Sequence, residues 1–357
     1  MNLTNGGGEG DPLYPSSKIL PIPAATALAI LLNAVFVESA SAHVKWFCAY
    51  DVAGQPRGLE NVLCTDFEIL VGLAALALLT GCLTEKTTFG EAIGRALNRV
   101  TSLVRTNTEL LFRAVCAFFF IALWAIGGVL LTPELTTTWP AISWLQLAIA
   151  AGMMSRKTMP FSALGIVGLF VLAVQQYGAF HLADYPVFLG VAAYLALVGL
   201  QRDLFGMRPL DVVRWAAAIT LMWASVEKWA YPEWSFPLLI EHPAVSWGND
   251  PEFFMRVAGV VEFTLAFALL WTPLVRRLAA ILLSAMFISA IFEFGKIDAI
   301  GHAPIIVVLL AIIADDTALT IKLRQQLLAP AAYCVALAGF LAIYYGAHTV
   351  LFGARIV

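Results

Sequence analysis

Seven ionisable side chains stand where apolar sequence makes them expensive. Glu227 and Lys228 close the run Ala224-Ser225-Val226-Glu227-Lys228, and Glu262 is embedded in Val260-Val261-Glu262-Phe263. Glu293, Lys296, Asp298 and His302 follow close together. An ionisable group inside a membrane span costs about 2.5–3.5 kcal/mol on insertion scales, so it tends to persist for function. Carboxylates and imidazoles in such surroundings exchange protons, and ammonium groups neutralise or polarise what lies beside them. Glu227, Glu262 and Glu293 set against Lys228 and Lys296 leave one acid in excess, which keeps a proton or takes one up when a ligand binds. The plainer alternative is that these groups pair and only knit helices together.

The elements that must position them are membrane helices. The chain has 357 residues, of which 61% are apolar and only 21 basic and 24 acidic. Its mean hydropathy is +0.84. A soluble domain carries about a quarter charged residues, so this composition cannot cover a water-exposed surface. A net charge of −3 gives no basic face for nucleic acid. Apolar stretches near 19–40, 67–83, 110–132, 139–154, 160–178, 186–200, 211–230, 254–273, 277–294, 303–314 and 329–350 predict eleven spans. In lipid they must be helices, because an open strand edge leaves backbone groups unpaired. The expected fold is therefore all-α, a polytopic membrane helical bundle.

Basic residues set the orientation. With a cytoplasmic N-terminus, fifteen Lys and Arg face inward, and six face outward: Lys45, Arg57, Lys228, Arg256, Lys296 and Arg355. The same arrangement puts Trp139, Trp144, Trp229, Trp234 and Trp247 near the outer boundary, where aromatic belts lie. It places the seven ionisable groups in the outer half. Ala40-Ser41-Ala42 has the form of a signal-peptidase site, although Glu9 and Asp11 make a poor positive leader. Between the second and third spans, Phe89, Ile93, Leu97, Val100 and Val104 recur at helical spacing between arginines, predicting an amphipathic helix on the cytoplasmic surface.

The chain also repeats itself. Trp124-Ala125 followed by Pro133-Glu134 is matched by Trp223-Ala224 followed by Pro232-Glu233. Pro140-Ala-Ile-Ser-Trp144 is matched by Pro243-Ala-Val-Ser-Trp247, Arg156-Lys157 by Arg276-Arg277, and Gln175-Gln-Tyr-Gly178 by Phe292-Glu-Phe-Gly295. Each copy holds four spans, an even number, so the repeat is parallel about the membrane normal. The expected organisation is 1–109 for the N-terminal helices, outer loop and surface helix, 110–210 for a scaffold-like first repeat, 211–315 for a second repeat with the candidate site, and 316–357 for a C-terminal helix. The copies differ in charge: Glu227 and Lys228 replace Gly128 and Val129, Glu293 replaces Gln176, and Lys296 replaces Ala179.

His43, His181, His242, His302 and His348 all fall toward the outer side without the spacing of adjacent metal ligands, so the metal question stays open. Cys48 and Cys64 share the outer loop, where an oxidising compartment would allow a disulfide. No Gly-rich phosphate loop or G-x-S-x-G motif accompanies them.

The unit with Ala224-Ser225-Val226-Glu227-Lys228 and, later, Phe294-Gly295 and Gly301-His302 resembles the DoxX-like integral membrane proteins. His43-Val44-Lys45-Trp46-Phe47 looks like a segment preceding such units in larger bacterial relatives. The resemblance covers 211–314 directly and 110–200 through the duplication. It implies a helical bundle in a bacterial inner membrane that serves redox systems, including quinone-linked ones, together with other subunits. The extra helices and the duplication depart from that pattern. A quinone needs an apolar slot reached from lipid and a proton donor or acceptor near each carbonyl. Trp223, Trp229, Phe263 and Phe294 would wall the slot, Glu227, Glu262 or His302 would exchange protons, and Lys228 or Lys296 would polarise a carbonyl. A proton- or ion-coupled transporter and a non-catalytic anchoring subunit are the alternatives.

Overall fold

The computed structural model describes Lys45 and residues 48–317 and 328–353. The first expected span, Ala40-Ser41-Ala42, His43 and Arg355 lie outside the described residues. Among the described residues the protein is all helix, with no strand. Its ten longer helices, joined by shorter helical turns, are α1 (Thr65–Glu85), α2 (Thr88–Val100), α3 (Thr108–Ile126), α4 (Pro140–Gly152), α5 (Met159–Tyr177), α6 (Pro186–Leu200), α7 (Pro209–Ala230), α8 (Pro251–Ala268), α9 (Pro273–Ala314) and α10 (Ala329–Phe352). Five of them, α1, α3, α5, α9 and α10, are long and apolar enough to cross a membrane. Helices α4, α6, α7, α8 and α9 each begin on proline, whose fixed φ suits the first helical turn and whose missing N–H would have no partner there.

Helix α9 holds 42 residues but is two antiparallel arms. A straight helix of that length would be about 63 Å long, yet Arg276 near its start reaches Asp315 just past its end at 3.0 Å. Arg277 Nε also donates to the Ile313 carbonyl at 2.7 Å. The chain reverses at Gly295, where φ is 76° and ψ −146°, a conformation in which any side chain would be strained. The arms 273–294 and 296–314 answer to the ninth and tenth expected apolar stretches.

The most extensive packing joins α5 to α6, α6 to α7 and α7 to α8. At the α7–α8 contact, a Cβ on Gly259 would collide with the Trp229 indole, so only glycine allows this approach. A helix, α2, forms where the amphipathic pattern expected one; its Phe89 and Val100 are exposed, and so is Leu103 just beyond it. Apolar side chains are left unburied here in the manner of a helix laid on lipid.

The end of the bundle where α7 and α9 begin is tied by a buried charge knot. Arg208 grips Asp211 through Nε and Nη2, both at 2.9 Å, and reaches Asp315 at 3.0 Å. Arg214 pairs with Asp211, and Arg276 pairs with Asp315. Arg214 and Arg276 are wholly buried. Burial would raise the Asp315 carboxyl, but its bonds from Arg208 and Thr317 and the charge of Arg276 hold it down at about 2. Its stabilising contribution is therefore complete above the ordinary value of 3.8 and is lost only as pH falls through about 2.

Three guanidinium groups here face two carboxylates. Losing one carboxylate strands two surplus charges, whereas losing one guanidinium balances the knot. Asp315→Asn should therefore destabilise the detergent-purified protein by about 3–5 kcal/mol, and Arg276→Met by less. Thermal unfolding checks the order, and the reverse ranking would contradict this account of the knot.

Candidate functional site

At the opposite end, where α7 finishes, Lys45 is buried between two carboxylates. Its Nζ lies 2.5 Å from Asp184 Oδ2 and 2.7 Å from Glu227 Oε2. The Lys45 and Asp184 side chains are 2% and 3% exposed, and that of Glu227 is 9% exposed. Glu227 is carried by the last turn of α7, and Asp184 by the turn between α5 and α6, directly before Tyr185, the residue that caps the start of α6. Lys45 precedes α1 altogether. Burial alone would disfavour the ammonium, but the two carboxylates outweigh it and lift Lys45 above the ordinary lysine range. The ammonium also faces the rings of Tyr50 and Trp234 at 5.9 and 5.8 Å, close enough for cation–π attraction.

A second layer surrounds the three. The Tyr185 hydroxyl donates to Glu134, from the connection between α3 and α4. Burial pushes the Glu134 carboxyl upward, and its Oε2 has no hydrogen-bond partner among the described residues. His181 packs edge-on to Tyr50 at 5.4 Å, stacks on Tyr185 at 6.1 Å and touches Tyr177 at 5.7 Å. Burial, and then the charge of Lys45, lower the His181 imidazole to about 4. It is therefore neutral at physiological pH and has one nitrogen to donate and one to accept. Tyr50 is pushed up to about 12 by burial and then by Glu134.

The segment after Lys45 is held down from three sides. Tyr231 O–H donates to the Gly54 carbonyl at 2.8 Å and lies 3.0 Å from His348 Nε2. Tyr345 O–H donates to the Arg57 carbonyl at 2.7 Å, and Arg57 N–H to that of Ala230 at 2.8 Å.

The charged residues singled out in the sequence divide among three places. Glu227 belongs to the Lys45 cluster. Lys228, the next residue, points about 100° away around α7 and pairs with Glu262 at 2.7 Å. At the Gly295 turn, Glu293 meets His242 at 3.0 Å, and His302 lies 3.0 Å from the buried Asp298. Lys296 is exposed just beyond Gly295, whose backbone breaks the register that would set it on one face with Glu293. The four aromatic residues are buried by packing. Trp223 meets Phe180 and Tyr344, Trp229 lies between Phe67 and Phe263, and Phe263 continues to Tyr333. Phe294 lies against His242.

No family model, curated protein or solved structure matches the chain. Among the described residues, no three His, Cys, Asp or Glu side chains converge as metal ligands. Cys48 and Cys64 are unbonded.

Sequence reasoning missed Lys45, Asp184, Glu134 and Tyr185 as site residues, and took His181 only as one of five outer histidines. The charge contrast drawn between the two repeats passed over Glu134 and Asp184, so the stretch 110–210 contributes acids as well as scaffold. One signal was at hand, since Asp184 stands two residues before the proline that opens an apolar helix. Nothing local announces its partner 139 residues away.

Removing Lys45 alone would strand two buried carboxylates. Lys45→Met should cost about 3–5 kcal/mol, and much less when Asp184→Asn and Glu227→Gln are already present. Unfolding of the four combinations measures the coupling, and additive effects would contradict a shared ion cluster.

Proposed function

We propose that this protein is a multi-pass subunit of a redox system in a bacterial inner membrane, related to the DoxX-like proteins. It would bind quinone near the outer face together with other subunits. The reading takes the chain as eleven spans with a cytoplasmic N-terminus, ten of them represented by α1, α3–α8, the two arms of α9, and α10. Its core is a four-helix unit present twice, α3–α6 and α7–α9. Supporting the repeat, the matched glycines Gly178 and Gly295 both take positive φ, 88° and 76°, at the corresponding turns. Supporting a membrane boundary there, Trp139, Trp144 and Trp247 are exposed at or next to the Lys45 end, as in the aromatic belt of a membrane interface.

The observation that carries the function is the charge balance around Lys45. Asp184, Glu227 and Glu134 outnumber the single ammonium, and burying more than one uncompensated charge is costly. The cluster is built to hold a proton and to exchange it. Converting a quinone to its quinol takes two electrons and two protons. In this reading a partner redox protein supplies the electrons, and the acids of the cluster pass protons. Glu227 is the primary proton carrier, and Lys45 sets its charge. Glu262 with Lys228, and Glu293, Lys296 and His302 at the Gly295 turn, lie toward the same side and serve as further exchange points. In this reading Trp223, one turn before Glu227 on α7, excludes water beside it, Trp229 and Phe263 do so where Lys228 meets Glu262, and Phe294 does so at the Gly295 turn.

A proton-coupled transporter would use the same surplus acid, and the broken helix at Gly295 favours that second reading. Titrating the purified protein in nanodiscs with a short-chain benzoquinone separates the two. The redox reading expects saturable binding that Glu227→Gln, with an unchanged unfolding temperature, weakens about ten-fold (about 1.4 kcal/mol). Absence of saturable binding, with solute uptake by the pure protein driven by a pH gradient in liposomes, would overturn it.

A further inference from the structure

The Lys45 end also carries a groove of about 390 Å³ between the start of α4 and the end of α5. That volume falls within the range of small-molecule sites. Leu130 and Trp139 give it apolar walls, and Thr136, Thr137, Gln175 and Gln176 give it hydroxyl and amide groups. No charged side chain lines it, so a charged ligand would find no counter-charge. Helix α5 is apolar enough to lie in a membrane, and Trp139 at the rim is 62% exposed. In the membrane reading, a molecule dissolved in lipid would meet the groove from the bilayer.

Ring contacts lead from the wall of this groove toward the buried cluster. Gln176 Nε2 donates to the Thr136 carbonyl at 2.9 Å, and the Tyr177 hydroxyl donates to the same carbonyl at 2.8 Å. The Tyr177 ring touches His181, His181 touches Tyr50, and Tyr50 lies beneath the Lys45 ammonium. His181 is buried, and its Nε2 has no hydrogen-bond partner among the described residues. Each of these side chains holds a hydroxyl, an imidazole or an amide, and the order leads from the groove to Asp184 and Glu227.

We propose that this groove is the site for the uncharged ring of a lipid-soluble molecule bearing hydrogen-bond acceptors. The ring lies against Trp139, its oxygens face Thr136 and Gln176, and Tyr177 and His181 link it to the Lys45 cluster. The inference rests on the quinone reading for its ligand class, but it places the ring away from Trp223, Trp229, Phe263 and Phe294.

The test uses the full chain in nanodiscs with a photoreactive short-chain benzoquinone, followed by mass spectrometry of the labelled peptides. The label should fall within 130–142 or 172–177, and Gln176→Leu and Trp139→Leu should each weaken binding about ten-fold while leaving the unfolding temperature unchanged. Saturable labelling confined to 223–229 or 254–263, with groove variants unaffected, would overturn the groove and leave the quinone reading standing. Absence of saturable labelling anywhere would overturn both.

Discussion

An ammonium buried between two carboxylates constrains everything at its end of this protein. Lys45 must be held against Asp184 and Glu227, because each of the three alone would be a buried, uncompensated charge. To meet there, a segment preceding α1, the α5–α6 turn and the last turn of α7 must converge. The tyrosines that seal the segment after Lys45, Tyr231 beyond α7 and Tyr345 on α10, complete the enclosure. The cluster is thus a structural tie that also carries surplus acid, and the same geometry accounts for both.

The far end is tied by the mirror-image device. Arg208, Arg214 and Arg276 share Asp211 and Asp315, so guanidinium is in excess there and carboxylate is in excess around Lys45. Helix α7 links the two, with Asp211 and Arg214 in its opening turns and Glu227 in its last. Surplus charge of opposite sign thus sits at the two ends of α7. The two ends also separate the roles. Arginine keeps its charge under all ordinary conditions and fixes a fold, whereas carboxylates and a neutral imidazole are the groups that trade protons near neutral pH.

Helix positions were legible in the residues because apolar stretches and prolines at helix starts are local signals. The two arms of α9 were visible as separate apolar stretches. Reading them as consecutive spans already required a reversal between them; what was not legible is that it falls at Gly295, whose backbone breaks the spacing of Glu293 and Lys296. Of the candidate site, Glu227 was legible as an acid in apolar sequence. Its partners were not, because Lys45 looked like one more residue setting orientation and Asp184 lies far from both in the sequence. Adjacent charges also misled: Glu227 and Lys228 are neighbours in the chain but face different partners. Ion pairs between distant segments leave no spacing to read, and the aromatic residues beside Glu227 look the same whether they pack a core or line a slot.

The central claim is that the Lys45 cluster holds an exchangeable proton, and infrared difference spectroscopy in lipid reads it most directly. Stepping the pH across neutrality, or adding a short-chain benzoquinone, should change a carbonyl band of a protonated carboxylic acid. The band should shift in ²H₂O and disappear in Glu134→Gln or Glu227→Gln, while persisting in Glu262→Gln. Carboxylates that stay fully ionised throughout, with no such band in the unaltered protein, would contradict the account and leave the cluster as a structural tie alone.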